Sequence, residues 1–529
     1  MKKFLMTVMM IVFTIGFSFA QIVIEGDITS DMTLTSNNTY LLRGFVRVQS
    51  GATLYIQPGT VIYGENTTQG SLIIKPGGKI VAQGTEQNPI VFTSEFTKPG
   101  STQEPTYGDW GGIILLGIAP INVPGGTSTI EGPGGIYGGN DPNDSSGVMQ
   151  YVRIEYPGIA FSLNNEINGL TFGGVGSRTV IDHIQVSYSG DDAYEWFGGN
   201  VNAKYLIAYR AWDDDFDTDF GFQGKLQFLV SLKDPLVADQ STSNSFESDN
   251  DASGSINEPR TSPTWWNVTL IGPLETTSSA INSLYGRGMH LRRSSLNKIS
   301  NTIVMGWPRG IRLDGVNTIQ GVINNNMWIN NSIVAGWTSS ALDTVSAGGA
   351  SFDINAWFIA SGGRTYTNNS DVMLTDPFNL ADPNFLPIAG SPALTGAATP
   401  PNDDFFDPTA TFAGAFGATD WTANWATWPV VSSVDEEYTN IISDFALTQN
   451  YPNPFNPSTK VSYSLPQSAD VKLTVYNTLG QEVEILVDGF KNAGTYELTW
   501  DASNLPSGVY IYTIQSENTF ITKKMTLLK

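Results

Sequence analysis

The chain has 529 residues, a formal charge of −23, only 15% charged residues, 54 glycines and no cysteine. That charge argues against nucleic acid and anionic membrane surfaces as partners, and the missing cysteine excludes disulfides and a lipid-anchoring thiol. A chain without disulfides needs a long apolar core, which 529 residues can supply.

Met1 to Ala20 carries Lys2 and Lys3, an apolar run from Phe4 to about Phe17, and Ser18-Phe19-Ala20 as a small-x-small site. This predicts a secretory signal peptide over 1–20, with a passenger from 21 to 431. No other apolar run approaches the ~18 residues of a membrane span.

Leu54-Tyr-Ile-Gln-Pro58-Gly59-Thr-Val-Ile62 recurs as Leu72-Ile-Ile-Lys-Pro76-Gly77-Gly-Lys-Ile80, an offset of 18 residues with Pro-Gly marking each turn. Val81 to Thr85 and Asn88 to Ser94 continue the pattern. These rungs resemble the N-terminal rungs of secreted right-handed β-helix proteins of the pectate-lyase-like superfamily, and the resemblance concerns fold far more than activity. Asp109 to Gly117 reads as an apolar strand and the Gly/Pro/Asn-rich interval 124–147 as an insertion leaving the coil.

The clearest repeat follows. Val180 to Asp192 superposes on Asn202 to Asp214 at an offset of 22 residues; Ile184 falls on Leu206 and then Phe228, Val186 on Ala208 and Val230, and Gly199 on Gly221. Alternating apolar residues mark a strand in each copy, and about 22 residues of strand, turn and strand make one rung of a parallel β-helix. Rungs stack ~4.8 Å apart. Asp191 is therefore expected over Asp213, Asp192 over Asp214 and Glu195 over Asp217, with Asp215 and Asp219 nearby. Carboxylates held so close raise one another's pKa or recruit a cation, and calcium takes several oxygen ligands at ~2.3–2.6 Å from such loops. These residues form the candidate calcium cluster; the competing reading is solvated turns whose carboxylates bond backbone N–H groups.

The blocks Gly190 to Gly199 and Asp213 to Asp219 also resemble a family of large exported Bacteroidetes β-helix proteins without an assigned activity. Polysaccharide lyases of the pectate-lyase-like fold bind calcium through rung-stacked Asp and abstract a proton with Lys or Arg. That resemblance makes Lys204, Arg210 and Lys225 candidate glycan contacts, beside Trp265 and Trp266 as stacking platforms whose competing role is core packing. Paired carboxylates could instead serve glycoside hydrolysis. His183 and His290 are too far apart in a solenoid for a two-histidine metal site. No nucleotide, haem or zinc motif is present.

The interval 239–263, with Glu247, Asp249 and Asp251, reads as a second polar insertion. Trp265 to Ile271, Ile299 to Met305 and Trp328 to Val334 read as later rungs, with Asn301 and Asn331 expected in a side-chain ladder. Leu386 to Leu394 resembles the closing segment of secreted β-helix proteins, and a cap is expected over 386–429, then a polar linker over 432–443. The last domain, 444–529, carries Phe445 to Pro457, Val471 to Gly480, Gly494 to Asp501 and Leu505 to Tyr512, ending in Lys523-Lys524-Met-Thr-Leu-Leu-Lys529. Alternating strands with tight turns predict a small β-sandwich. These blocks resemble the type A C-terminal sorting domain of the type IX secretion system of Bacteroidetes. The resemblance implies passage across the outer membrane by that machinery and release or attachment at the cell surface. The sequence thus points to an exported all-β protein binding extracellular glycan or matrix, with a polysaccharide lyase or hydrolase as the alternative. A basic residue converging on the acidic rungs inside a cleft would favour the enzyme.

Overall fold

The computed structural model describes residues 21–162, 165–345, 352–429, 446–447, 450, 452–465, 469–491, 494–516 and 519–529. The expected signal peptide and linker lie outside the described residues.

Twenty-five strands join one hydrogen-bonded system in which the successive rung pairings are parallel. Val180–Ser187 pairs with Asn202–Tyr209, and Tyr194–Gly199 with Phe216–Asp219, at the expected 22-residue spacing. The next step differs. Leu206 pairs with Leu229 and Ile207 with Val230, so Phe228 and Val230 are not the partners of Leu206 and Ala208 that a constant period requires. The turn after Asp219 holds one residue more than the turn after Phe197; both begin with two positive-φ residues, Gly198 and Gly199 in one and Phe220 and Gly221 in the other, so the extra residue falls after Gly221.

Phe228 instead joins a corner column. Each long strand bends at one left-handed residue: Tyr151, His183, Tyr205, Phe228, Asn267, Asn301 and Asn331 have φ between 49° and 63°. A bulky residue pays for this conformation in steric strain. Ring stacking offsets that strain, with centroids 4.3 Å apart for Tyr151 and His183, 4.2 Å for His183 and Tyr205, and 4.9 Å for Tyr205 and Phe228. The interior repeats the device: Phe172 stacks on Trp196 at 5.2 Å, and Tyr194 on Phe216 at 5.5 Å. All four rings are fully buried.

Two expectations about the loops are corrected. The interval 239–263 is not wholly an insertion, because Phe246–Ser248 is a rung strand between Phe216–Asp219 and Arg287–Leu291. The segment expected as a cap is a lateral strap that runs back along the corner column toward earlier rungs. Asn331 donates to Gly396 O, Asn301 to Ala398 O, Asn267 to Ala410 O and Phe412 O, Gln185 to Thr427 O and Arg153 to Trp425 O. The corner asparagines therefore serve the strap's backbone rather than forming a ladder with one another. At the other end of the core, Ile354 and Phe358 of the helix Ile354–Ala360 pack into it.

Asn301 tests the strap. Its carboxamide donates to Ala398 O and accepts from Ala398 N, both at 2.8 Å. Asn301→Ala is expected to cost about 2 kcal/mol in urea unfolding, combining two lost hydrogen bonds with left-handed strain. Asn301→Gly, which tolerates the backbone, should recover part of that loss.

The C-terminal domain is an antiparallel sandwich. One sheet holds Ala446–Leu447, Ser458–Leu465 and Gly494–Asp501; the other holds Glu482–Lys491, Ala469–Asn477, Gly508–Ser516 and Thr519–Leu527. Alternate residues such as Val461, Tyr463, Leu473, Val475, Tyr512 and Ile514 fill its core.

Candidate metal centre

The parallel register builds one outward column of ionisable side chains across consecutive rungs. Glu195 pairs with Asp217, Asp217 with Glu247, Glu247 with His290, His290 with Arg312, and Arg312 with Asp343. Three carboxylates thus stack before the first nitrogen base appears. The turns entering these strands stack too. Asp192 Oδ1 accepts from Asp214 N at 2.8 Å, and Asp214 Oδ1 accepts from Asn244 N at 2.5 Å. One oxygen of each aspartate therefore ties neighbouring rungs together, which is the structural role that competes with ligand binding.

Around this corner lies a polar cavity of about 200 Å³. Asp191, Asp192, Glu195, Asp213, Asp214 and Asp217 line it, as the sequence predicts, joined by Glu131, Glu247, Ser241, Thr242 and Arg292. Glu131 comes from the insertion at 124–147 and Ser241 from the loop at 239–245, so both irregular segments wall the cavity. Asp192 and Glu195 are only 8% and 9% exposed. Asp213 Oδ1 and Asp217 Oδ1 are buried oxygens that meet no donor.

Burial, followed by the charges of neighbouring carboxylates, pushes Asp192, Glu195, Asp213 and Asp217 well above the usual carboxylate range. Asp214 is raised to about 8 by burial and Glu247, with Lys233 opposing. Glu247 is raised to about 7 by burial, with Arg292 opposing. Two unit charges 4 Å apart repel by about 4 kcal/mol at an effective dielectric of about 20. The cluster relieves this by holding protons or by taking a cation.

Two of the predicted ligands lie elsewhere. Asp215 turns inward and is fully buried, bridged to Lys233 at 3.0 Å and hydrogen-bonded by Ser245 Oγ at 2.7 Å. Asp219 does not line the cavity; it accepts from Phe220 N and is raised to about 8 by burial and Asp249. The expected glycan contacts do not converge on the cavity either. Arg210 is buried in an ion pair with Asp234. Lys204 lies over Phe405, and Lys225 pairs with Asp403 at 2.6 Å, both on the strap-covered flank. Trp265, 1% exposed, is a core residue 4.4 Å from Phe246, and Trp266 is buried beside Phe406.

The basic residue in the cavity lining is Arg292, which pairs with Glu247 and, at 2.8 Å, with Asp249. His290 sits beside Glu247 and Asp314, and burial with Arg287 and Arg292 pushes its pKa down to about 4. It is neutral at neutral pH. Sequence reading missed Glu131 and did not bring Glu247 into the cluster. Phe246-Glu-Ser248 reproduces the aromatic-acid-hydroxyl order of Phe216-Asp-Thr218, but 30 residues on rather than 22, so a fixed period passes over it.

A family model described as a pectate-lyase like beta helix domain matches residues 26–370, and one described as a secretion system C-terminal sorting domain matches residues 449–527. No curated protein matches the chain.

Proposed function

Starting from a chain that belongs to the pectate-lyase-like β-helix family and ends in a secretion-system sorting domain, we propose that it is a cation-dependent binding protein for extracellular glycan or matrix. Its location is firm: the sorting domain directs export through the type IX secretion machinery to the cell surface or extracellular space, and no helix among the described residues is long and apolar enough to cross a membrane.

The observation that carries the binding reading is the acidic cavity with its undonated Asp213 and Asp217 oxygens. Its donors are carboxylates and hydroxyls without sulfur, which suits a hard cation, and the ligand number and irregular walls suit calcium better than magnesium. Asp191, Asp192, Glu195, Asp213 and Asp217 would hold such an ion, and a bound calcium would attract hydroxyl or carboxylate oxygens of a glycan. Against proton abstraction, the basic groups near the rungs are engaged: Arg292 by two carboxylates, Lys233 by Asp215 and Arg210 by Asp234. Against glycoside hydrolysis, Glu131 and Glu195 share the Asn168 amide and a hydrogen bond with each other, closer than the about 5–9.5 Å that separates the carboxyl pair of a glycosidase.

Calorimetric calcium titration of residues 21–529 tests the proposal, beside Asp192→Asn and a screen of the loaded protein against acidic and neutral polysaccharides. We expect calcium binding that Asp192→Asn abolishes, and calcium-dependent retention on a glycan without depolymerisation. Release of unsaturated sugars would turn the assignment to a lyase, new reducing ends to a hydrolase, and absence of any calcium signal would remove the cation from the function.

A further inference from the structure

We propose that the cavity holds two divalent cations bridged by Asp192, the inner one closed by Glu131 from the insertion at 124–147. The inference rests on the cation-binding reading above and adds its stoichiometry and its connection to the insertion.

The ligand geometry separates two sites. Oxygen atoms of Asp191, Asp192 and Asp213 lie within 4.8 Å of one another, and so do those of Asp192, Glu195 and Asp217; the two triads share Asp192 alone. Oxygens on opposite sides of one calcium ion are about 5 Å apart, twice the Ca–O distance. Each triad therefore has the spread of a single coordination sphere.

Charge points the same way. Eight carboxyl groups line about 200 Å³ and Arg292 is the one cationic side chain in that lining, so once the carboxyls are deprotonated one divalent ion leaves most of the charge unbalanced. Each triad also contains an orphaned buried acceptor, Asp213 Oδ1 in the outer and Asp217 Oδ1 in the inner. Hydrogen bonding within the cluster has not consumed them.

Glu131 borders the inner triad through Glu195. The carboxamide of Asn168, 0% exposed, donates to Glu131 Oε1 at 2.8 Å and to Glu195, while its own Oδ1 meets no donor. This buried amide holds Glu131 of the insertion against Glu195 of the rung, where the two carboxyl groups share a hydrogen bond; loss of that proton leaves them repulsive, and a cation in the adjoining triad offsets the charge. Occupancy of the inner site thus ties the insertion to the solenoid.

Terbium luminescence and calcium calorimetry on residues 21–529 test this, with stoichiometry taken as the difference from Asp192→Asn so that cation sites elsewhere cancel. The expected result is two ions for the natural chain. Asp191→Asn should weaken one site ~100-fold and leave the other, and Glu195→Gln should do the converse. Should Glu195→Gln fail to fold, as judged by a cation-free melt, Glu131→Gln in the insertion should weaken the same inner site. Cation should also protect the insertion from limited proteolysis, and Glu131→Gln should remove that protection while the outer site still fills. One ion lost equally in Asp191→Asn and Glu195→Gln would overturn the two-ion arrangement and leave the cation-binding reading standing; no binding at all would overturn both.

Discussion

Chelation of divalent cations at pH 8 is expected to lower the unfolding midpoint of the exported chain by about 5 °C, and at pH 5 to leave it nearly unchanged. A ligand at 100 times its dissociation constant stabilises the folded state by about 2.7 kcal/mol, and a chain of several hundred residues shifts by about 2 °C per kcal/mol. The pH dependence follows from the carboxylates. Burial and neighbouring charge raise Asp214 to about 8 and Glu247 to about 7, and raise Asp192, Glu195, Asp213 and Asp217 further above an unfolded value of about 4. Between about pH 4 and pH 8 the folded state consequently binds more protons than the unfolded state. Stability of the cation-free chain falls as pH rises through that window.

Below it, protons neutralise the cluster and no cation is required; at its upper end a cation must replace them, because its ligands bind only when deprotonated. Asp217→Asn separates this effect from the rest of the acidic chain. It removes one stacked charge, so at pH 8 it should raise the midpoint of the cation-free protein and abolish the response to calcium at the inner site. A natural chain indifferent to chelator at pH 8, or a cation-free chain more stable at pH 8 than at pH 5, would return these carboxylates to ordinary solvated turns.

The solenoid is legible in the sequence wherever its turns have constant length. Val180–Ser187 and Asn202–Tyr209 carry the same residues at the same phase, and that phase correctly stacks Glu195 on Asp217. One extra turn residue after Asp219 was enough to move Phe228 from strand to corner, where its ring stacks on Tyr205. Thirty residues between Asp217 and Glu247 hid the third acid of the column altogether. Local pattern also cannot tell which way an isolated polar residue turns. Asp214 and Asp215 are adjacent and chemically identical, yet one borders the cavity and the other is sealed against Lys233, because the bend between them is fixed by partners on later rungs, Asn244 and Ser245. The strap was legible as the end of the solenoid but not as a lateral structure. Its course is set by amides such as Asn267 and Gln185, some 140 to 240 residues earlier in the chain.

Lys233→Met is expected to be the most damaging single change near the cavity, costing about 3–5 kcal/mol in urea unfolding. Lys233 and Asp215 are both 0% exposed and 3.0 Å apart. The ammonium also donates to Ala211 O at 3.3 Å and to Asp213 O. Methionine fills the volume but leaves a buried carboxylate without its counter-ion and those two carbonyls without that donor. Burial already raises Asp215 with Lys233 opposing, so the variant should take up a proton there and lose less stability at pH 5 than at pH 8. The double variant Lys233→Met/Asp215→Leu removes both charges and should recover most of the loss, since a buried pair is worth little more than an apolar replacement of similar size. Cation affinity should behave differently. Lys233 holds the carbonyls of the turn that presents Asp213 and Asp214, so it is a positioning residue for the site, and the double variant should remain weakened toward calcium after its stability has returned. Stability and affinity restored together would make the pair a structural feature only, and a single variant within about 1 kcal/mol of the natural chain would mean that Asp215 is held neutral and that Lys233 carries little of the turn's order.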